Sequence, residues 1–308
     1  MRLLTRSDFD GLVCAVLLVE ADMVDHWTFC HPKDLQDGAV EVASDDVLAN
    51  VPFVPGCGMW FDHHASEAKR LELAEEFSYV GLSRPAPSAA QVIWDYFRGD
   101  KTFGEHLRPL LKAVNKTDSG RLTAEEILAP SGWILLSFVM DPRTGLGRFK
   151  DYKISNYQLM EDLIGYCRTM TAEEVLDLDD VRERIIRYAE HQEPFREMLQ
   201  RCSEVRNNVV VTNLLNEETV YCGNRFVIYA LFPEQNIEVR ILQGREDKQN
   251  VVIACGHSIL NRKCRTDVGR LMLEYGGGGH VKVGTCQVAE ADWERVLDEI
   301  LERIQAKG

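Results

Sequence analysis

The chain has no Cys-x-x-Cys pair, no bilayer-length apolar run, no internal repeat and no low-complexity segment. Each absence excludes something. Its 9 cysteines are odd in number and unpaired in spacing, so they read as reduced, mostly buried thiols of a cytosolic protein. The apolar run over residues 12–19 follows acids rather than a basic flank and is too short to span a bilayer. No signal peptide is evident, and a soluble, cytoplasmic protein without membrane attachment is expected. Cations are scarce: 35 Lys and Arg stand against 49 Asp and Glu, a formal charge of −14. A general electrostatic grip on nucleic acid needs clustered cations, so that class is disfavoured. A nucleotide end held locally is still allowed, and bound metal can neutralise some of the acids. The length of 308 residues predicts two domains, and the 45% apolar content is ordinary for a globular chain.

What is present centres on Trp60-Phe61-Asp62-His63-His64. An apolar pair running into an acid and two histidines reads as a buried strand that delivers imidazoles to a sheet edge. Neutral imidazole is a common ligand for divalent metals, and Asp62 can orient a histidine from behind. Partly solvated turn residues are the alternative. Near the start, Leu3-Leu4 breaks into Thr5-Arg6-Ser7-Asp8-Phe9-Asp10-Gly11, and a dense apolar helix is expected over residues 12–21. Asp8 and Asp10 alternate along that turn, so they can converge on one metal or on two neighbouring metals. Capping the following helix is their other role.

Strands are expected at 27–30 and 39–43, the latter ending at Ser44-Asp45-Asp46, and at 59–61. Acids or histidines at successive strand ends imply a parallel sheet whose carboxyl edge is the site. Helices are expected over 66–77, 89–97 and 103–114, the last running into Asp118-Ser119-Gly120. Asp118 is a further carboxylate ligand or a simple Asx turn. Arg143, in a polar loop, can reach a phosphate or merely lie on the surface. Charged helices follow over 157–167 and 172–199. Beyond Arg206, β-branched and aromatic runs at 209–211, 226–229, 238–242 and 251–254 read as strands. A helix over 266–275, the run Gly276-Gly277-Gly278-Gly279-His280, a strand over 281–288 and a helix over 293–304 complete the chain. Four glycines in a folded domain need a reason. Backbone N–H groups approaching an anion, with His280 adding a donor, are one; a flexible turn is the other. The whole is an α/β protein: an N-terminal parallel-sheet domain over 1–170, a helical linker over 171–205 and a smaller α/β domain over 206–308.

Taken together and in order, Asp8-Phe9-Asp10-Gly11, Asp62-His63-His64, Asp118-Ser119 and Gly276 to His280 resemble the DHH/DHHA1 phosphoesterase superfamily over essentially the whole chain. The wording before the histidines resembles the exopolyphosphatase-related branch. The resemblance implies hydrolysis of phosphodiester or phosphoanhydride bonds with Mn²⁺, one ion or two, with Mg²⁺ or Co²⁺ as substitutes. It implies Asp8, Asp10, Asp46, His63 and Asp118 as metal ligands, Asp46 (with Asp45 its rival) being the bridging carboxylate after the third strand. His64 falls beside the scissile phosphate and Asp62 supports the histidines. Arg262, Gly277, Gly278, Gly279 and His280 fall on the substrate-binding motifs. The implied substrate is a small phosphorylated molecule, a nucleotide or polyphosphate, or the end of a short single-stranded oligonucleotide; a homodimer is compatible with it.

One departure stands out. Arg6 occupies a position where many relatives carry a histidine or an acid that helps bind a metal, and arginine does not ligate metal. Arg6 therefore weakens one metal site or grips a substrate phosphate instead. The competing reading is a catalytically impaired protein that binds nucleotide or phosphate without turnover.

Overall fold

The computed structural model describes residues 1–64, 67, 78–244 and 250–306. The chain divides into two compact units, residues 1–121 with 130–187, and residues 122–129 with 188–308. The division falls inside one helix, Asp179–Cys202. The short helix Ala124–Leu128 belongs to the second unit, where Asn224 Nδ2 donates to the Ile127 carbonyl at 2.9 Å and Arg196 donates to that of Leu128 at 2.6 Å. No local sequence signal announces that placement, since both donors come from far along the chain.

The first unit is built on five parallel strands: β1 (Arg2–Thr5), β2 (His26–Phe29), β3 (Asp46–Ala49), β4 (Met59–Asp62) and β5 (Val80–Ser83). Their order is β2-β1-β3-β4-β5. β1 and β3 are neighbours in register Arg2↔Asp46 to Thr5↔Ala49, and the chain changes direction across the sheet between them. In open α/β sheets ligands bind outside the carboxyl ends of the strands at this kind of switch point. The helix Phe9–Glu20 is buried almost all round, as its run of Leu, Val and Ala requires. The helix expected over 66–77 lies outside the described residues except for Glu67.

One strand differs from expectation. Residues 39–43 do not pair; β3 begins at Asp46 and runs through Val47 and Leu48, both fully buried. Val40 and Val42 instead pack part-buried against the cluster around Leu48 and Trp60, so apolar alternation there marks side-chain burial without a backbone ladder.

In the second unit β6 (Ser203–Arg206), β7 (Val209–Asn213), β8 (Ile237–Gln243), β9 (Asn250–His257), β10 (Gly278–His280) and β11 (Val283–Ala289) form one sheet, ordered β10-β11-β9-β8-β7-β6. Alternate residues Ile237, Val239 and Ile241 face a core shared with Val296, Leu297, Ile300, Leu301 and Ile304 of the helix Trp293–Gln305. Periods of two and of three to four meet there. Two expectations are corrected. The run 226–229 lies in a helix, Val227–Leu231, not a strand: β-branched and aromatic residues suit any buried surface, and tertiary packing overrides the propensity. The glycine run is not a loop throughout, because Gly278, Gly279 and His280 form the edge strand β10. A Cβ at Gly277 would lie 2.0 Å from the Thr285 oxygen, and one at Gly279 2.2 Å from that of Val283. Close backbone approach thus accounts for those two glycines, and a sheet edge still presents a row of peptide groups outward.

Among the described residues no helix is long and apolar enough to cross a membrane.

Candidate metal centre

At the carboxyl end of β1 the chain turns through Arg6, Ser7 and Asp8 into the helix Phe9–Glu20. Asp8 is its N-cap: the Gly11 N–H donates to Asp8 Oδ1 at 3.0 Å. Gly11 is needed because a Cβ there would sit 1.9 Å from the Arg6 oxygen. Asp8 does more than cap. Asn50 Nδ2 donates to the same Oδ1 at 3.0 Å, and Arg6 Nε lies 3.1 Å from Oδ2. Thr5 Oγ1 donates to the Ala49 carbonyl at 2.9 Å, tying the ends of β1 and β3 together behind this cluster.

Asp10, in the first turn of that helix, is 2% exposed. Its oxygens accept the first two N–H groups of the helix Ala89–Tyr96, from Ala89 at 2.8 Å and Ala90 at 3.0 Å. A helix N-terminus is a natural seat for a carboxylate. Even so, burial, and then the charge of Asp118, push the Asp10 carboxyl up to about 7. Behind that helix end, Ser88 Oγ donates to Asn115 Oδ1 at 2.6 Å and Asn115 Nδ2 to Gln91 Oε1 at 2.6 Å.

β4 ends at Asp62 and delivers both histidines. Asp62, fully buried, accepts the backbone N–H of His64 at 3.0 Å and pairs with its Nδ1 at 2.8 Å. Burial opposes a charge on His64, but the Asp62 hydrogen bond and charge outweigh it and raise the imidazole to about 9. His63 is held differently. Its Nδ1 is 3.1 Å from the Ala86 carbonyl, which only accepts, so Nδ1 carries the proton and donates. That leaves Nε2 pointing at the carboxylates, 3.3 Å from Asp118 Oδ2 and 3.6 Å from Asp10 Oδ2. Asp118 is the last residue of the helix Arg108–Asp118.

Asp10, His63 and Asp118 bring one ligand atom each to within 4.8 Å of one another. Among the described residues the buried His63 Nε2 has no hydrogen-bond partner, a costly state for a polar atom. An imidazole whose far nitrogen donates to a carbonyl while the near one faces two carboxylates is the arrangement of a metal ligand. The residues fit one divalent ion.

Asp46 is not among them. The expectation that it follows the third strand is corrected: it begins that strand, at the opposite edge of the sheet, where Arg2 forks onto it through Nε and a terminal nitrogen, both at 2.7 Å. Asp45 precedes it at the same edge. The residue that follows the third strand is Asn50, 3% exposed, with φ of 56°. Sequence reasoning passed over it because a carboxamide before Val51-Pro52 carries no metal signal. Arg143 forks onto Asp141 at 2.7 and 2.8 Å, and its charge acts on both Asp8 and Asp118. Arg262 and Gly277 to His280 belong to the second unit. There Arg262, exposed, donates from Nε to the Ile259 carbonyl at 2.9 Å.

A cavity of about 470 Å³ in the first unit is bounded by Pro87, Trp94, Lys112, Asn115, Lys116 and Arg121. It shares Asn115 with the network behind Asp10, and Pro87 follows the carbonyl that holds His63.

A parallel α/β sheet bearing Asp-x-Asp, Asp-His-His and a helix-end Asp at its carboxyl edge defines a phosphoesterase with a metal-capable centre. Comparison with solved structures agrees. A pGpG-specific phosphodiesterase from Vibrio cholerae is 45% identical over 100% of this chain and 99% of its own, with a TM-score of 0.88. An exopolyphosphatase-related protein from Bacteroides fragilis shares the fold at 15% identity and a TM-score of 0.54, covering 98% of this chain and 91% of its own. The DHH domain of a protein from a family of ribosomal proteins does so at 13% identity and a TM-score of 0.55, over 98% of this chain and 86% of its own. No family model and no curated protein matches. The chain belongs to the DHH phosphoesterase superfamily, and it is a hydrolase of phosphate-ester bonds.

Proposed function

We propose that this protein is a Mn²⁺-dependent phosphodiesterase that cleaves short linear dinucleotides, pGpG first among them, to mononucleotides. One observation carries the substrate: the 45% identity to a pGpG-specific phosphodiesterase runs over the whole chain, so both units are shared and not only the metal motifs. Asp10, His63 and Asp118 would hold the ion, and imidazole with carboxylate suits Mn²⁺. When bound, the ion lowers the pKa of water and neutralises charge on the phosphoryl oxygens. Asp10 is fixed by two helix N–H groups and His63 by a carbonyl, so the donor set is positioned beforehand. His64, oriented by Asp62, is the group proposed to meet the scissile phosphate, with Arg6 gripping a phosphoryl oxygen.

The cavity beside Asn115 has the volume of a small-ligand site and four cations on its walls, Arg108, Lys112, Lys116 and Arg121, of which Arg108 is paired with Asp100. In a chain of net charge −14 that is where a second phosphate is best received. Arg262, Gly277, Gly278, Gly279 and His280 are proposed as further substrate contacts on the strength of the family resemblance. A cytoplasmic location accords with such a substrate.

The test is hydrolysis by the Mn²⁺-loaded protein of pGpG, other linear dinucleotides, pAp, cyclic dinucleotides, pyrophosphate and polyphosphate, followed by chromatography. One pGpG and one water should give two GMP, faster than any other member of the panel. Lys112→Ala should raise KM for pGpG several-fold with little change in kcat. Absence of turnover on every substrate, with bound metal confirmed, would sink the proposal in favour of a non-catalytic nucleotide binder.

A further inference from the structure

We propose that the centre takes a single divalent ion, at Asp10, His63 and Asp118, and that Arg6 stands as a built-in cation where a second ion would otherwise sit. The inference deepens the phosphodiesterase reading and rests on it only for the identity of the substrate.

Three observations carry it. The first is the fate of Asp8. Both of its oxygens are already engaged, Oδ1 by the Gly11 N–H and Asn50 Nδ2 and Oδ2 by Arg6 Nε. A carboxylate that caps a helix and pairs with a guanidinium has little left to offer a metal, and Asp8 is absent from the group of ligand atoms that converge.

The second is the residue at the end of β3. A two-ion centre needs a carboxylate that both ions share, and the end of the third strand is where the family resemblance puts it. The structure has Asn50 there, presenting its amide nitrogen as a donor toward Asp8, while Asp46 lies at the far edge paired with Arg2. A neutral carboxamide aimed as a donor is the wrong group to bridge two cations.

The third is charge. With an ion bound and their protons displaced, Asp8, Asp10 and Asp118 contribute three negative charges. One divalent ion and the Arg6 guanidinium contribute three positive ones, while Arg143 is paired with Asp141 and His64 with Asp62. A second divalent ion would leave two positive charges uncompensated within contact distance of an arginine. Like charges that close in a low-dielectric site repel strongly.

Arg6 is also suited to act as a cation and not merely to block. Its side chain is 41% exposed, and among the described residues it pairs only with Asp8, its nearest approach being from Nε at 3.1 Å. A guanidinium has five N–H donors in a planar fork that matches a phosphoryl group. Asp8 anchors one edge and leaves the terminal nitrogens for two phosphoryl oxygens of a bound phosphodiester.

The test is metal stoichiometry, read without turnover. Apoprotein prepared by chelation is titrated with Mn²⁺ by calorimetry, and the loaded protein is examined by electron paramagnetic resonance. Wild type should bind one equivalent and give the spectrum of an isolated ion. The double variant Arg6→His, Asn50→Asp should gain a second equivalent and an exchange-coupled spectrum; failure of that pair to bind any second ion would count against the role given to Arg6 and Asn50. Two equivalents with coupling in wild type would overturn the single-ion centre and leave the phosphodiesterase reading intact. Conversely, one equivalent with no hydrolysis of pGpG would overturn that reading while the stoichiometry stands. Arg6→Ala should keep one equivalent and lower kcat on pGpG by roughly 10²-fold, the scale for a lost charge-stabilising donor. An unchanged kcat would remove Arg6 from the reaction.

Discussion

Two arginine–aspartate pairs sit at opposite edges of the same sheet, and they are built for different purposes. At the amino edge Arg2 commits its fork to Asp46 at 2.7 and 2.7 Å, adds a bond to the Glu41 carbonyl at 2.9 Å, and Asp46 also accepts the Ala43 N–H at 2.7 Å. Nε and one terminal nitrogen of Arg2 are both taken, and the Asp46 carboxyl is held below its usual range because Arg2 outweighs burial. At the carboxyl edge Arg6 pairs, among the described residues, with Asp8 alone, nearest at 3.1 Å from Nε. Beside it the buried His63 Nε2 has no hydrogen-bond partner among the described residues. The same residue types in the same fold thus make a fastening at one end and a set of uncommitted donors and acceptors at the other. Unsatisfied polar groups in a native structure call for an explanation, and a ligand supplies it.

The largest effect should come from the carboxyl edge. Asp118→Ala removes one of three converging ligand atoms from a centre whose ion supplies several kcal/mol of transition-state stabilisation, which is roughly a thousandfold in rate. Hydrolysis of pGpG should fall by about that factor and Mn²⁺ binding should weaken in calorimetry. The apoprotein should unfold no more easily than wild type, because Asp118 ends its helix partly exposed and fastens nothing. A variant with normal Mn²⁺ affinity would break the distinction between the two edges.

The next effect belongs to the amino edge and has the opposite character. Asp46→Ala strands the Arg2 fork and the Ala43 N–H, and the loss should be about 2 kcal/mol of unfolding free energy, the scale for hydrogen bonds to a charged group. Because the folded pKa of Asp46 lies below its unfolded value, the stability it provides is present above about pH 4 and is lost as pH falls through that range and below. Denaturant curves for wild type and variant should therefore converge in acid. Mn²⁺ stoichiometry should not change. A lost equivalent of metal would restore Asp46 to the centre.

That misplacement shows what the sequence could and could not reveal. That Asp8-Phe9-Asp10, Asp62-His63-His64 and Asp118 lie at strand or helix ends was legible, because local pattern fixes those ends. The α/β class was legible for the same reason, from Leu3-Leu4 running into an acid turn and a buried helix. The third strand was not. Val40 and Val42 alternate as a strand should, yet they pack only by side chain, while the backbone ladder to β1 starts at Asp46. Pairing partners distant in sequence choose between two candidate segments, and that choice moved a carboxylate from one edge of the sheet to the other. Asn50 was hidden with it, since its role depends on Asp8, 42 residues away. The return of Ala124–Leu128 to the second unit rests on Asn224, 97 residues from the carbonyl that it bonds.

The smallest effect is the most discriminating for the comparison. Arg2→Lys keeps the charge beside Asp46 but replaces a planar fork by a single ammonium, so one of the two parallel bonds and the bond to Glu41 are lost. Asp46 remains paired and is not left as an isolated buried charge. The expected cost is therefore about 1 kcal/mol, visible as a small shift of the urea midpoint at unchanged slope. Kinetics on pGpG should stay within error of wild type, because nothing at the amino edge touches the centre. The matching change at the other edge, Arg6→Lys, should do the reverse: stability unaltered, kcat reduced, since a lysine cannot hold Asp8 and present two donors to a phosphoryl group at once. If the two lysine variants behave alike, the edges are not specialised and the contrast between a committed and an uncommitted guanidinium is wrong.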